Sequence, residues 1–356
     1  MDVKKDLKEF RKKIDPEIEK VLDEMIEASK KEGKIITDSL EQVKKITLSG
    51  GKRLRPALMY WGYKGVGGKR EKEIIKTSVS IELIHIFLLI HDDIIDNDSK
   101  RHGVETIHKK YEKTGKFFPG IGNNAKHFGN SMGIIVGDIV GAIGNRVIYN
   151  SDFPPSLIVE ALKKLQGIVA TVAIGEAQDV ITEYRRKALE KEVMDIYKNK
   201  TAKYTIEGPL HLGAILGGAG GKILEEITKF SVPIGVAFQI QDDILGIFGS
   251  EKKIGKPVGS DIREGKQTIL VVKALENADE NRRKRLEKLL GKENITGDEI
   301  REFRKIIIDT GALDYAKEKT QELVEEGKSH IEKIEFDKRA KNFLSAIADY
   351  MAKRDI

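Results

Sequence analysis

Two clusters of acidic residues, about 150 residues apart, carry the strongest chemical signal in this chain. The first runs from His91 to Asp98, the second runs from Gln239 to Gly246, and each follows an apolar run typical of a buried helix. On a helix, Asp92 and Asp96 would lie one turn apart on one face, with side chains about 5–6 Å from each other. Two carboxylates at that distance repel by roughly 3 kcal/mol at an effective dielectric constant near 20. We therefore expect a cation between them.

The available ligand atoms favour magnesium as that cation. The chain contains no Cys and few His near the clusters, so the candidate ligands are oxygen atoms. Mg²⁺ prefers oxygen ligands, keeps several waters and is usually shared with substrate phosphates. Two facing acidic walls with Mg²⁺ between them would form a diphosphate site. Gly246 takes the place where a third carboxylate would mirror Asp96, and Asp261 is a further candidate acid.

Basic residues accompany both acidic clusters. Lys52 and Arg55 lie on a Gly-Gly loop before a helix, where backbone N–H groups favour phosphate. His85, two turns before Asp93, is either a site residue or a core histidine with one hydrogen bond. Any single Lys is typical of a surface position, but together the basic residues favour a diphosphate cage. The remaining candidates are Arg101, Lys200, Lys256 and Lys266.

The pattern of the whole chain predicts an all-α fold. The 356 residues are 34% charged and 40% hydrophobic, which is typical of a globular protein. Apolar residues recur at helical spacing, no long linker separates two parts, and alternating strand patterns are missing. We predict one domain over residues 1–356, a helical bundle around a central apolar cavity. The pattern predicts a long helix over residues 71–98, a long loop over residues 114–130 and four amphipathic helices after residue 267.

Composition also excludes several classes of function. Without Cys the chain has no disulfide, no thiol catalysis and no cysteine-bound zinc. The net charge of +6 accompanies no nucleic-acid-binding motif, so we expect no nucleic acid partner. We find no apolar signal core and no run of 18 apolar residues, and therefore expect no integral membrane span and a cytoplasmic protein.

An ordered set of motifs runs along the chain. It comprises Gly50-Gly51-Lys52-Arg53-Leu54-Arg55-Pro56, Asp92-Asp93-x-x-Asp96 with Arg101, Gly137-Asp138, Lys200-Thr201, and Phe238-Gln239-x-Gln241-Asp242-Asp243. A single DDxxD motif is a weak signal, but this ordered set is specific. It resembles the motifs of the trans-isoprenyl diphosphate synthases over about residues 40 to 350, and the sequence after Asp242 resembles the archaeal geranylgeranyl diphosphate synthases in particular.

The resemblance implies a magnesium-dependent head-to-tail condensation of isopentenyl diphosphate with allylic diphosphates (dimethylallyl, geranyl, farnesyl). It implies Asp92, Asp96 and Asp242 as magnesium ligands. It implies that Arg101, Lys200, Lys256 and Lys266 bind the allylic diphosphate, and that Lys52, Arg55 and His85 bind isopentenyl diphosphate. The oxygens of Thr201 and Gln239 would face the allylic cation. Relatives are commonly homodimers, so a homodimer or higher homo-oligomer is expected.

The chain departs from the family pattern at two places. His102 follows Arg101 where the family usually has a second Arg that helps to hold isopentenyl diphosphate. We therefore expect weaker or pH-dependent binding of that substrate, because His titrates near neutral pH. The segment from Lys116 to Asn130 is longer than its family counterpart, and a lid, an oligomer contact and a tolerated insertion all remain open.

Product length would depend on the side chains below the first acidic motif. Phe87 lies five residues before Asp92, about 7.5 Å along the same helix, and Leu88 follows it. A bulky ring there resembles the floor of enzymes that stop at fifteen or twenty carbons, whereas the alternative is an ordinary core ring. We favour geranylgeranyl diphosphate as the product, with farnesyl diphosphate as intermediate or co-product.

Two other functions are compatible with part of the pattern. A class I terpene cyclase would use the same magnesium chemistry, but it has no use for a second diphosphate site at Lys52 and Arg55. A non-catalytic regulatory subunit of a heteromeric synthase would explain His102 and Gly246, but not the intact first motif.

Overall fold

The computed structural model of the protein describes residues 2–249 and 259–352. Nearly all regular elements in this part of the chain are α-helices, and its strands are one short antiparallel pair, β1 (Lys100–Arg101) and β2 (Val104–Glu105). The predicted all-α fold is confirmed. The chain divides into two compact units, an N-terminal unit (Asp2–Tyr63 and Gly68–Leu162) and a C-terminal unit (Lys64–Gly67 and Lys163–Ile356). The prediction of one domain over residues 1–356 stays a prediction.

The helices up to α7 contain the first acidic cluster, and the boundary between the units falls within α7. Short 3₁₀ turns lie at Lys30–Glu32 and Gly122–Asn124. The α-helices are α1 (Val3–Ser29), α2 (Lys34–Ser49), α3 (Leu54–Gly65), α4 (Glu71–Ile95), α5 (Ile107–Gly115), α6 (Ala125–Tyr149) and α7 (Pro155–Arg185).

The C-terminal unit contains the second acidic cluster on its longest helix, α10. An eleven-residue π-helical segment, Tyr197–Glu207, directly follows α8. The elements are α8 (Glu190–Ile196), α9 (Gly208–Leu216), α10 (Gly221–Phe248), α11 (Ser260–Glu264), α12 (Ile269–Asn277), α13 (Glu280–Leu289), α14 (Gly297–Asp309), α15 (Ala312–Lys328), a 3₁₀ turn at Ile331–Lys333 and α16 (Lys338–Ala352).

A stripe of glycines on α6 allows α4 to pack closely against it. The glycines recur every three to four residues, so they share one face of the helix. A Cβ atom at Gly141 would lie 3.1 Å from the ring of Phe87, and one at Gly144 would lie 3.2 Å from the backbone N of Ile84. α4 is buried around most of its circumference, as its apolar composition predicts. The stripe comprises Gly129, Gly133, Gly137, Gly141 and Gly144.

Two further glycines allow the π-helical segment to pack closely on its neighbours. A Cβ at Gly175 on α7 would lie 2.5 Å from the backbone N of Lys200, and one at Gly235 on α10 would overlap Ala202. Such distances are below van der Waals contact, so neither position accepts a side chain without a backbone shift. The segment that carries Lys200 and Thr201 is thus held at close range by α7 and α10.

Element boundaries differ from the sequence expectation at three places. The Gly- and Asn-rich stretch 114–130 was expected to be a loop, but α6 already begins at Ala125, because its glycines face neighbouring helices. α4 ends at Ile95 rather than at Asp98. Five helices, α12 to α16, follow residue 268, where four were expected.

Two helices in the described ranges are long and apolar enough to cross a membrane by length and composition alone, Glu71–Ile95 and the segment Gly122–Tyr149. In the first, 67% of the apolar window is buried inside the protein. Core helices of globular proteins pass the same test, so this is weak evidence for a membrane span.

The close contact at Gly235 predicts two alanine substitutions of opposite effect. Gly235→Ala should destabilise the protein by about 1–3 kcal/mol, because the new methyl group overlaps the π-helical segment. Gly167→Ala on α7 has no atom within 4 Å of its new Cβ, so it should stabilise by about 0.5–1 kcal/mol through helix propensity. Denaturant unfolding of both variants measures the difference, and a loss of stability at Gly167 equal to that at Gly235 would contradict the packing argument.

Candidate active site

The first acidic cluster forms the C-terminal end of α4. The backbone N of Asp96 donates to the carbonyl of Asp92 at 2.8 Å, so these residues lie one helical turn apart as predicted. Asn97 then adopts a left-handed φ of 55°, and the N–H of Asp98 returns to the carbonyl of Asp93 at 2.9 Å. This pair of features is the Schellman ending of a helix. Asp92 and Asp96 are half-buried at that end.

Arg101 lies among these acids. Its Nε donates to Asp93 at 2.9 Å, its Nη2 contacts the same carboxylate and lies 3.2 Å from Asp98, and Asp92 Oδ2 is 3.8 Å away. The Asp93 side chain is 3% exposed and that of Arg101 is 13% exposed. Arg101 thus neutralises part of the cluster, and Asp93 is its main partner.

The environment of Asp93 shifts its protonation. Burial raises the pKa of Asp93 to about 7, the Arg101 guanidinium lowers it, and the Asp92 and Asp98 carboxylates raise it again. Desolvation and like charge disfavour the ionised form, which is why one arginine does not restore the usual pKa. Asp92 and Asp96, which are less buried, are the better candidates for metal ligands.

The basic residues of the N-terminal unit form a second group. Burial lowers the pKa of His85 well below its usual value, and the positive charges of Arg55, Arg101 and Arg53 lower it further. His85 is therefore a neutral imidazole beside three guanidinium groups. Arg53 and Arg101 are ion-paired with Glu82 and Asp93, and Arg55 is the arginine of this group that the sequence analysis assigns to a diphosphate. Lys52 is exposed and Arg55 is half-buried on the loop before and at the start of α3.

His102 belongs to the same neighbourhood. A Cβ at Gly50 would lie 2.6 Å from its ring, so the ring packs on the backbone of the Lys52 loop. Burial lowers the pKa of His102, and the charges of Arg101 and Arg53 lower it further, against a smaller opposing effect of Glu82. The residue that replaces the usual family Arg is thus neutral near pH 7 and lies beside the predicted isopentenyl diphosphate residues.

The two predicted chain-length residues lie below the acidic end on α4. Phe87 packs on the backbone of Gly141, and its ring meets His91 edge-on with a centroid distance of 4.8 Å. Phe87 and Leu88 are both half-buried. They are thus partly accessible apolar side chains that follow a fully buried stretch of the helix, residues 77–84.

The second acidic cluster contains a chain of hydrogen bonds. Thr201 Oγ1 donates to Gln239 Oε1 at 2.7 Å, and Gln239 Nε2 donates to Asp243 Oδ1 at 2.8 Å. The buried phenol of Tyr197 donates to the other oxygen of Asp243 and accepts from the backbone N of Ile269 at 2.8 Å. Burial and the Asp261 and Asp242 carboxylates raise the pKa of Asp243, whereas the hydrogen bonds from Tyr197 and Gln239 lower it.

Asp261 occupies the space beside Gly246. A Cβ atom on Gly246 would overlap Oδ2 of Asp261, which reaches this position from α11. In the sequence motif, Gly246 stands where a third carboxylate would mirror Asp96. In the structure the carboxylate of Asp261 lies against Gly246, one helical turn after the half-buried Asp242 on α10.

Two predicted lysines of the C-terminal unit lie along an acidic face of α7. Lys200 Nζ is 2.7 Å from both Glu176 and Asp179, and Lys266 Nζ is 3.3 Å from Glu183 and 3.7 Å from Asp179. These acids hold both ammonium groups in one region. Lys256 lies outside the described residues.

Sequence reasoning missed several residues of these groups. The acids of α7 recur at helical spacing on one face, a signal that was available. Glu82 interrupts the apolar run of α4, which should have indicated a buried charge with a partner. No sequence signal pointed to Tyr197, because its contact with Asp243 depends on how the π-helical segment packs.

The residues present fit magnesium, with substrate and water as further ligands. Within residues 2–249 and 259–352, no three His, Cys, Asp or Glu side chains are arranged to hold a metal ion by themselves. Asp92 and Asp96 offer oxygen ligands one turn apart on a half-buried helix end. Mg²⁺ is commonly bound by one or two carboxylates together with waters and substrate phosphates.

Comparison with known proteins gives consistent results. The family model for polyprenyl synthetase matches residues 37–307. Geranylgeranyl pyrophosphate synthase of Geoglobus acetivorans is 34% identical over 307 residues, covering 86% of this chain and 88% of that protein. Short chain isoprenyl diphosphate synthase of Methanocaldococcus jannaschii is 34% identical over 310 residues, covering 87% and 84%.

A solved structure agrees with them. Geranylgeranyl pyrophosphate synthase from Corynebacterium glutamicum, complexed with isoprenyl diphosphate and magnesium, superposes with a TM-score of 0.92 at 28% identity, covering 98% of this chain and 99% of that one. The resemblance drawn from the motifs is thereby confirmed. The chain belongs to the polyprenyl synthetase family.

Proposed function

We propose that the protein condenses isopentenyl diphosphate head-to-tail with allylic diphosphates and makes mainly geranylgeranyl diphosphate. As a family member it is a prenyltransferase. The observation that carries the proposal is that α4 holds an acidic cluster at its end and contributes His85 to a cationic group two turns earlier. A terpene cyclase has no use for that second anion site, and the relatives are synthases, so neither a cyclase nor a regulatory subunit is favoured.

We propose Asp92, Asp96 and Asp242 as the magnesium ligands for the allylic substrate. The magnesium in the Corynebacterium structure supports magnesium as the metal, and the half-buried carboxylates of Asp92 and Asp96, one turn apart, support their choice as ligands. When bound, Mg²⁺ would neutralise charge on the leaving pyrophosphate and so favour breakage of the allylic C–O bond. Lys200 and Lys266 would add positive charge to the same group, and Lys256 stays a prediction from the sequence, as does binding by Arg101.

The hydrogen bond from Thr201 to Gln239 fits a role beside the allylic cation. The Thr201 hydroxyl donates its hydrogen bond to Gln239 Oε1, so the lone pairs of its oxygen can face an electron-poor carbon. The double bond of isopentenyl diphosphate would attack that carbon, and loss of a proton to pyrophosphate would complete a chain longer by five carbons. Water must be excluded because it would capture the cation.

Lys52, Arg55, His85 and His102 would hold isopentenyl diphosphate. Arginine and lysine supply charge, whereas the half-buried His85, whose pKa is lowered, offers a neutral hydrogen-bonding ring. The chain-length proposal is that Phe87, with Leu88, closes the space available to the growing product. Its support is that the Phe87 ring is half-buried and packs against Gly141, where a Cβ atom would lie 3.1 Å from the ring.

We also propose that a second copy of the chain covers exposed apolar residues. Ile134 and Ile135 on α6 are 48% and 50% exposed, and Ile181 and Tyr184 on α7 are 60% and 83% exposed. On each helix the two residues are close neighbours, and contiguous exposed apolar surface is typical of an interface, whereas single exposed apolar residues are not. Sedimentation of the purified protein tests for the homodimer or higher oligomer. The cytoplasmic location stays a prediction from the sequence.

The proposed reaction is tested with labelled isopentenyl diphosphate, Mg²⁺ and dimethylallyl, geranyl or farnesyl diphosphate in turn. We expect label in geranylgeranyl diphosphate from each allylic substrate, and no product with EDTA. Unlabelled cyclic products from an allylic substrate alone would indicate a cyclase. If none of these substrates is turned over, the non-catalytic regulatory subunit is the favoured alternative.

Phe87→Ala should lengthen the product beyond twenty carbons, because loss of the ring opens space below the acidic motif. Leu88→Ala probes the neighbouring position, about 100° around the helix. Phe128→Ala, which removes a ring from the contact between α5 and α6, is the control and should leave product length unchanged. Chromatography of the dephosphorylated products gives the distribution of chain lengths. An unchanged distribution for Phe87→Ala would show that Phe87 does not limit product length.

His102→Arg should lower the KM for isopentenyl diphosphate by about 10-fold, the lower end of what one added hydrogen bond to a charged group contributes. The pKa of His102 is lowered in the free protein. The negative charge of a bound diphosphate favours the protonated ring, so binding takes up a proton and weakens as pH rises. Arg stays charged throughout, so the ratio of wild-type to variant KM should increase from pH 6 to pH 8. His127→Arg, on an exposed position of α6, is the control. A ratio of one at both pH values would show that His102 does not contact this substrate.

A further inference from the structure

We infer that Arg53 is a positioning residue, whose buried guanidinium holds residues 50–55, the loop with Lys52 and the start of α3 with Arg55, in place for isopentenyl diphosphate. This inference rests on the proposed function, which gives the loop its substrate. Arg53 makes no predicted contact with substrate. It acts by fixing the backbone from which its two neighbours extend.

The three basic residues of this loop differ in exposure. Lys52 is exposed and Arg55 is half-buried, but Arg53 between them is only 2% exposed. Its backbone has a φ of 53°, in the left-handed region that is uncommon for residues other than glycine. Such a conformation persists only where surrounding contacts determine it. The chain is therefore anchored at Arg53, between the exposed Lys52 and the half-buried Arg55.

All three nitrogen atoms of the Arg53 guanidinium donate hydrogen bonds. Nε donates to Asp15 Oδ1 at 2.7 Å, Nη1 donates to Glu82 Oε1 at 2.6 Å, and Nη2 donates to the carbonyl of Thr47 at 2.8 Å. The Glu82 side chain is 5% exposed and that of Asp15 is 27% exposed. A planar fork with several donors can satisfy three partners at once, whereas an ammonium group on a flexible stem cannot reproduce that arrangement.

The loop backbone closes over this ion cluster. Gly51 has a φ of 88°, and a Cβ atom there would lie 2.8 Å from Arg53 Nη1 and 3.8 Å from Glu82 Oε1. Only a glycine allows the chain to pass so close to the guanidinium. Gly51, directly before Lys52, thus packs against the ion cluster that holds Arg53, directly after Lys52.

The cluster connects the loop to two helices. Glu82 lies on α4, three residues before His85, so Arg53 links the loop to the helix that also carries the first acidic cluster. Asp15 lies on α1, outside residues 37–307 that match the family. Helix α1 therefore contributes a residue to this ion cluster, although α1 lies outside the part of the chain that matches the family model.

This arrangement predicts a selective kinetic effect. If the anchor is weakened, Lys52 and Arg55 lose their fixed geometry, and small displacements of binding groups have large effects on substrate use. The allylic substrate, proposed to bind at the acidic clusters, should be affected much less. A merely structural role would instead lower stability and change both substrates alike.

The test compares two substitutions on α1. Asp15→Ala removes one partner of Arg53, and Arg11→Ala, the matched control, removes the other partner of Asp15, which Arg11 Nε contacts at 2.8 Å. We expect Asp15→Ala to raise the KM for isopentenyl diphosphate on the order of 10-fold, with the KM for farnesyl diphosphate within 2-fold of wild type. Arg11→Ala should leave both unchanged. Glu82→Gln, at the more buried partner, should have the larger effect.

Hydrogen exchange of the loop amides at residues 50–55 gives a second readout that does not depend on turnover. We expect faster exchange in Asp15→Ala than in Arg11→Ala. Equal changes in both KM values, or equal exchange in the two variants, would overturn the inference. If the wild-type protein does not use isopentenyl diphosphate, the proposed function fails, and loop exchange alone decides whether Arg53 is the anchor. Because Asp15 is partly exposed, its variant should fold even if Glu82→Gln does not.

Discussion

The negative charge at the end of α4 is the constraint on which the rest of this site depends. Four carboxylates follow a buried apolar helix within seven residues, and Arg101 neutralises mainly Asp93. Burial still raises the pKa of Asp93 to about 7, which shows how strongly this environment disfavours further charge. A divalent cation shared with a diphosphate is the natural complement of Asp92 and Asp96.

Close backbone packing is what places these charged groups accurately. The glycines of α6 allow α4 to approach, and Gly175 and Gly235 do the same for the π-helical segment that carries Lys200 and Thr201. Buried polar contacts then fix individual side chains, as Tyr197 does for Asp243 and as Glu82 does for Arg53. Each unit thus combines an acidic cluster with cationic groups held by the same helices.

The sequence was sufficient for the helical class, the family and the one-turn spacing of Asp92 and Asp96, because these depend on local periodicity and motif order. The start of α6 was misplaced because glycines were interpreted as loop residues, although their regular spacing marks a packing face. The π-helical segment could not be predicted, since its hydrogen-bond register depends on tertiary contacts with α7 and α10. The proximity of Asp261 to Gly246 is likewise a property of the fold, because fourteen intervening residues do not fix it.

The most direct test of this account is the binding of farnesyl diphosphate, measured by titration calorimetry with and without Mg²⁺. Asp92→Asn with Asp96→Asn removes the two charges without changing side-chain size, and Asp195→Asn, at a surface ion pair with Lys191, serves as control. The account predicts strong binding that requires Mg²⁺ in the wild type and the control, and a loss of the magnesium effect in the double variant. Equal binding by all three proteins, with or without Mg²⁺, would contradict it.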